Sequence, residues 1–114
     1  MNGAQFVAKA LAQEGVKYVF GLCGHTNLEL LDALAFETDI EFVSVRHEQV
    51  AAHAADGYAR ASGQPGILLL HVGPGMTNAI TGVATAALDS IPLVVIAGAI
   101  QNYFDGYGPH QEVK

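Results

Sequence analysis

The chain has 114 residues, 51% hydrophobic and 14% charged, a length and mix that suit one hydrophobic core and not two. Its formal net charge of -6, from 11 acidic against 5 basic side chains, leaves no electrostatic footprint for nucleic acid or for an anionic membrane surface. The apolar run Ile91 to Ile100 is too short to cross a bilayer, the N-terminus has no signal character, and the lone Cys23 builds no disulfide framework, so a cytoplasmic protein is expected.

In chain order, Phe6, Val7, Ala10 and Leu11 recur at helical spacing and Gly15 follows where that helix would end. Val16 to Leu22 is β-favouring; Asn27 then stands as a candidate cap before a helix carrying Leu28, Leu30, Leu31, Leu34 and Ala35. The alternation continues with a strand from Ile40 to Val45, a helix from about His47 to Ala61, and a strand from Ile67 to Val72. A helix from Met76 to Leu88 and a strand from Pro92 to Ala97 complete it. The last two strands are near-continuous apolar runs, as in a parallel sheet covered on both sides. The expected fold class is α/β, a doubly wound parallel sheet with helices on both faces. Residues 1–114 read as a single domain whose polar tail after Gln101 lacks a closing helix or strand, as if truncated at its C-terminal end.

Ligands of open parallel sheets bind beyond the carboxyl ends of the strands, so the loops after each strand are the candidates. They read Gly21-Leu-Cys-Gly-His-Thr-Asn, Arg46-His-Glu-Gln and His71-Val-Gly-Pro-Gly-Met-Thr-Asn, with His110-Gln111-Glu112 in the tail. Glu48 opens a helix that continues Val50, Ala51, Ala52, Ala54 and Ala55. A helix N-terminus favours its charge while apolar surroundings oppose it, a balance suited to proton exchange; helix capping by a solvated acid is the alternative. The Gly73-Pro74-Gly75 turn offers backbone N–H groups and close main-chain approach, without the pattern of a phosphate loop or a dinucleotide fingerprint. His25 and His71 could face a substrate or be satisfied by backbone carbonyls. The histidine spacing builds no metal site, and Ser44, Ser62 and Ser90 lie in no nucleophile elbow.

Together, Val19-Phe20-Gly21 with Gly24, Arg46-His47-Glu48 with Ala51, and His53-Ala-Ala-Asp-Gly-Tyr-Ala-Arg60 with Gly63 resemble one family. So do Gly73-Pro74-Gly75 with Thr77-Asn78 and Gly82, and Ile91-Pro92-Leu93. The chain is similar to the N-terminal, pyrimidine-binding domain of thiamine diphosphate-dependent enzymes of the acetolactate synthase and benzaldehyde lyase type. The resemblance implies that Glu48 is the catalytic carboxylate, bonding the N1' nitrogen of the cofactor's aminopyrimidine and shifting it to the imino tautomer. It further implies that Gly24, Gly73 and Pro74 line the cofactor, that Asn78 helps hold the turn, and that Gln111 is directed at the substrate. His110 stands where the family has an aromatic, and His25 and Thr26 where acetolactate synthases have Pro-Gly or Gly-Gly, which points to a more polar substrate. His25, Thr26, His71, His110 and Gln111 are therefore the candidate substrate residues.

By the same resemblance, Mg2+ and the cofactor's diphosphate belong to a separate C-terminal domain supplied by a second subunit. A homodimer or homotetramer then acts on a small carbonyl substrate such as a 2-ketoacid, and this chain alone is inactive. A carboligase or decarboxylase is the leading reading. Two rivals keep the fold: a thiamine diphosphate-dependent C–C hydrolase of a diketone, and a non-catalytic relic used for oligomerisation.

Overall fold

The computed structural model describes residues 1–104, 107–108 and 111–112. A capping box opens the first helix, α1 (Gly3–Gln13): Asn2 Oδ1 accepts the Gln5 N–H at 2.9 Å while Gln5 Oε1 accepts the Asn2 N–H at 2.8 Å. These two bonds start the helix ahead of the apolar repeat that marks it in the sequence. Then follow β1 (Tyr18–Gly21), α2 (Leu28–Glu37), β2 (Glu41–Ser44), α3 (Glu48–Ser62), β3 (Gly66–Leu70), α4 (Pro74–Leu88) and β4 (Leu93–Ala97). A single 3-10 turn, Asn102–Phe104, lies in the tail.

All strand pairs are parallel and the order across the sheet is β2-β1-β3-β4. Successive residues of each strand point to opposite faces, and the two faces carry separate cores. Val19, Ile67 and Leu69 pack under Ala8 of α1 and Ala33 and Leu34 of α2. Phe20, Leu68 and Leu70 pack under Ala51, Ala52 and Ala55 of α3 and Ala79 of α4. The sheet is thus doubly wound, with one helix pair on each face.

The alanines of α3 are there because the helix lies against other backbone. A Cβ on Gly66 would overlap the Ala55 carbonyl, and one on Gly82 of α4 would stand 2.5 Å from the Ala52 Cβ. The C-terminal turn of α3 is tied down separately. Buried Asp56 accepts two bonds from Arg60 Nε, at 2.9 and 3.0 Å, and Arg60 Nη2 reaches Asp89 at 2.7 Å. The Asp56 carboxylate, and after it that of Asp89, raise the Arg60 pKa.

The two long apolar strands differ in burial. Every residue of β3 is buried because strands flank it and helices cover both faces. The equally apolar β4 is an edge strand of this sheet, so it is only partly covered, with Val94 44% exposed. Among the described residues no helix is long and apolar enough to cross a membrane.

The α1–α2 pair carries a pH-sensitive contact. Glu37 accepts from Gln5 Nε2 at 2.5 Å and pairs with Lys9 Nζ at 3.2 Å, and the Gln5 bond, then Lys9, hold its carboxyl below the usual range. A carboxylate depressed in the folded state stabilises the fold above its unfolded pKa and loses that contribution as pH falls through the folded value. The wild type should therefore exceed Glu37→Gln in urea midpoint at neutral pH. That gap should close as pH falls below about 4.5, and narrow with salt because the pair is exposed.

Candidate functional site

The strand order places β1 at the centre, with the chain crossing to β2 on one side and returning to β3 on the other. The loops leaving β1 and β3 therefore diverge, and the crevice between them is where such a sheet offers a ligand space. The loop after β1 is stapled by Asn27, which is 3% exposed. Its Oδ1 accepts the Gly24 N–H at 3.0 Å and its Nδ2 donates to the Leu22 carbonyl at 3.1 Å. Asn27 occupies the cap position of α2 yet makes no side-chain cap bond, so the sequence expectation of a helix cap is replaced by a loop staple. Gly24 must be glycine here, because a Cβ would fall on the His71 ring, 2.7 Å from its Nδ1.

His71 follows β3 and is bound on both ring nitrogens. Its Nδ1 lies 2.6 Å from Thr26 Oγ1 and 3.4 Å from the Thr26 N–H, while its Nε2 lies 2.5 Å from Gln111 Oε1. Thr26 Oγ1 also accepts the Val72 N–H at 3.3 Å. His25 sets its ring edge-on to His71, with centroids 4.8 Å apart. Of the two readings of His71, side-chain partners replace the backbone carbonyl. His110 lies outside the described residues.

Glu48 is the first residue of α3, but His47 caps that helix: its Nδ1 accepts the Gln49 N–H at 3.2 Å. The Glu48 side chain is instead 8% exposed, with Oε2 accepting from Asn78 Nδ2 at 3.0 Å. Asn78 thus holds the carboxylate, where the sequence suggested that it would hold the turn. The turn is made by its own backbone. Gly73 takes φ 61° and ψ −107°, a conformation open to glycine, and Pro74 occupies the first turn of α4.

Gly75 lies between these two groups. A Cβ there would sit 3.3 Å from His71 Cβ and 3.7 Å from Glu48 Oε1. One side of the crevice thus carries a buried carboxylate fixed by an amide, and the other a histidine fixed by a hydroxyl and an amide. Two open cavities lie against the neighbours of His71, one of about 360 Å3 against Val72, Gly73 and Met76, the other of about 520 Å3 against His25, Thr26 and Phe104; Glu48 lines neither. Another, of about 360 Å3 between Tyr18, Tyr58 and Gln64, opens at the start of the strands, away from these groups. Arg46 lines a separate hollow with Leu22, Ser44 and Val45. Among the described residues no three His, Cys, Asp or Glu side chains gather to hold a metal ion.

Two members of this arrangement, Asn27 and His47, stood in the candidate loops without a role in the site, Asn27 being expected only to cap the following helix. For His47 the available signal was its position directly before the helical alanine run. For Asn27 the further hint was its place at the end of a Gly-rich loop.

Over residues 1–114 the chain matches the family described as thiamine pyrophosphate enzyme, N-terminal TPP binding domain. It is 51% identical over 112 residues to the acetolactate synthase isozyme 3 large subunit of Escherichia coli, covering 98% of this chain and 20% of that protein. It is 50% identical over 113 residues to the isozyme 2 large subunit of the same organism, covering 99% and 20%. Against the acetolactate synthase large subunit of Buchnera aphidicola from Acyrthosiphon pisum it is 47% identical, covering 98% and 20%. The chain therefore spans about a fifth of the length of these relatives.

Proposed function

Because the chain belongs to the thiamine pyrophosphate enzymes, as their N-terminal TPP-binding domain, we propose that it supplies the activating carboxylate of an acetolactate synthase-like carboligase or decarboxylase. The substrate class is 2-oxo acids or related small carbonyl compounds. The observation that carries this reading is Glu48: an 8% exposed carboxylate with Oε2 tied to Asn78 and Oε1 near Gly75, where a Cβ would come within 3.7 Å of it.

That arrangement fits the cofactor's chemistry. Thiamine diphosphate, when bound, supplies an electron sink for decarboxylation and carbon–carbon bond formation. The chain's own share is control of one proton. Glu48 exchanges it at Oε1, and the Asn78 amide prevents the carboxylate from swinging away. Gly73 and Pro74 offer backbone on which a planar ring can lie close, Gly24 leaves room for the His71 ring beside it, and His25, Thr26, His71 and Gln111 form the polar group toward the substrate. In this reading Mg2+ and the diphosphate are held by a further domain of a second subunit, so that a homodimer or homotetramer is the working unit, in the cytoplasm.

The experiment uses the intact protein with thiamine diphosphate, Mg2+ and pyruvate. Release of CO2 with formation of a carbon–carbon coupled product is the expected result. Cofactor binding with cleavage of a cyclic diketone in place of pyruvate turnover would favour the hydrolase, and no cofactor binding would end the reading. Within it, Asn78→Leu should slow turnover about tenfold, the effect of one lost hydrogen bond to a charged group. Cofactor affinity, read by fluorescence titration, should change less.

A further inference from the structure

Backbone N–H groups can only donate, and the Thr26 N–H together with the Thr26 hydroxyl favours one tautomer of His71. Its Nδ1 receives the Thr26 N–H at 3.4 Å, so this nitrogen carries the lone pair. Thr26 Oγ1, 2.6 Å away, already accepts the Val72 N–H and has its own proton free to point at the same nitrogen. The neutral ring then bears its proton on Nε2. A proton there needs an acceptor, and the group it meets at 2.5 Å is Gln111 Oε1. With the carbonyl end of the amide used in this way, the NH2 end is the part of the amide left to meet a ligand.

Two further features show that this chain of bonds is built into the fold. Gly98, which follows β4, approaches Thr26 so closely that a Cβ would stand 2.8 Å from its carbonyl oxygen and overlap its hydroxyl. Gln111 sits at φ 65°, left-handed backbone that a non-glycine residue adopts at a cost, and its side chain is tied to His71 there.

We propose that Thr26 and His71 form a positioning relay that orients the Gln111 amide with its NH2 toward the substrate, so that the site selects a ligand presenting a carbonyl or carboxylate oxygen there. The substrate half of this inference rests on the function proposed above; the relay itself does not. Thr26 and His71 act through Gln111 and are positioning residues. A ligand offering a hydroxyl or ammonium donor at the same point meets another donor and is disfavoured.

The test separates the two halves. In the intact protein labelled with 15N-histidine, the His71 resonances, assigned by their loss in His71→Gln, should show a single Nε2–H tautomer. Thr26→Ser should keep that tautomer, and Thr26→Val, which loses the 2.6 Å hydroxyl bond and retains only the weak 3.4 Å N–H contact, should admit a share of the other. In steady-state kinetics with pyruvate as the probe, Thr26→Val and Gln111→Glu should each raise KM about tenfold, with a smaller change in kcat, and Thr26→Ser should restore KM. An Nδ1–H tautomer in the wild type, or identical tautomer populations in Thr26→Val and Thr26→Ser, overturns the relay. An Nε2–H tautomer in a protein that does not turn over pyruvate supports the relay and removes the function proposed for the site. A Gln111→Glu variant with unchanged KM overturns the selection of an acceptor oxygen.

Discussion

Glu48→Gln in the intact protein is expected to lower turnover by about 10²- to 10⁴-fold, roughly 3 to 5 kcal/mol of barrier, while leaving the fold in place. The amide keeps the size of the side chain, and its carbonyl oxygen still accepts from Asn78 Nδ2, so the contact at Oε2 survives. Proton exchange at Oε1 does not survive. Stability should fall by well under about 1 kcal/mol, because a cap lost from α3 would cost about that much and His47, not Glu48, provides the cap. Hydrogen–deuterium exchange at the reactive carbon of the bound cofactor, measured beside the melting temperature, distinguishes the two roles. Exchange at the wild-type rate would remove Glu48 from the activating role, and a large drop in melting temperature would return it to a structural one.

Gly82→Ala should destabilise the protein, although two opposing effects meet there. Alanine in a helix interior is favoured over glycine by about 1 kcal/mol. Against that, the added Cβ would stand 2.5 Å from Ala52 Cβ and 3.1 and 3.2 Å from the backbone of His53 and Ala52. Backbone cannot rotate out of the way, so α4 must move off α3, and overpacking of this kind costs about 1–3 kcal/mol. Overlap wins, and a larger side chain such as leucine should cost more. Asn78 lies one turn earlier on the same face of α4, so the displacement also draws its amide away from Glu48. Urea denaturation of Gly82→Ala should show a lower midpoint at unchanged slope, and turnover should fall with it. A midpoint equal to wild type would mean that α3 and α4 slide freely, contrary to the close packing of Ala51, Ala52, Ala55 and Ala79.

What the amino-acid sequence determined alone is the set of elements and the residues at their ends. Period and turn chemistry are local, so Leu28 to Ala35 reads as helix and Ile67 to Val72 as strand without knowledge of any neighbour, although the strand of the structure runs Gly66–Leu70. The doubly wound parallel class follows from the alternation. The position of Glu48 at a helix start and of the Gly73-Pro74-Gly75 turn at another follows from the same local signals.

The tertiary structure decided which polar groups meet. Strand order is not written in periodicity: β3 and β4 are equally apolar, yet one is central and the other an edge. Because β3 returns to the far side of β1, Thr26 and His71, distant in sequence, end on one crevice and bond at 2.6 Å. The α3–α4 pairing likewise turns Asn78 from a turn residue into the partner of Glu48, and the bend of the β1 loop turns Asn27 from a cap into a staple. A short polar side chain takes whichever partner backbone packing brings within about 3 Å. That choice belongs to the assembled sheet and helices, not to the residues beside it in the chain.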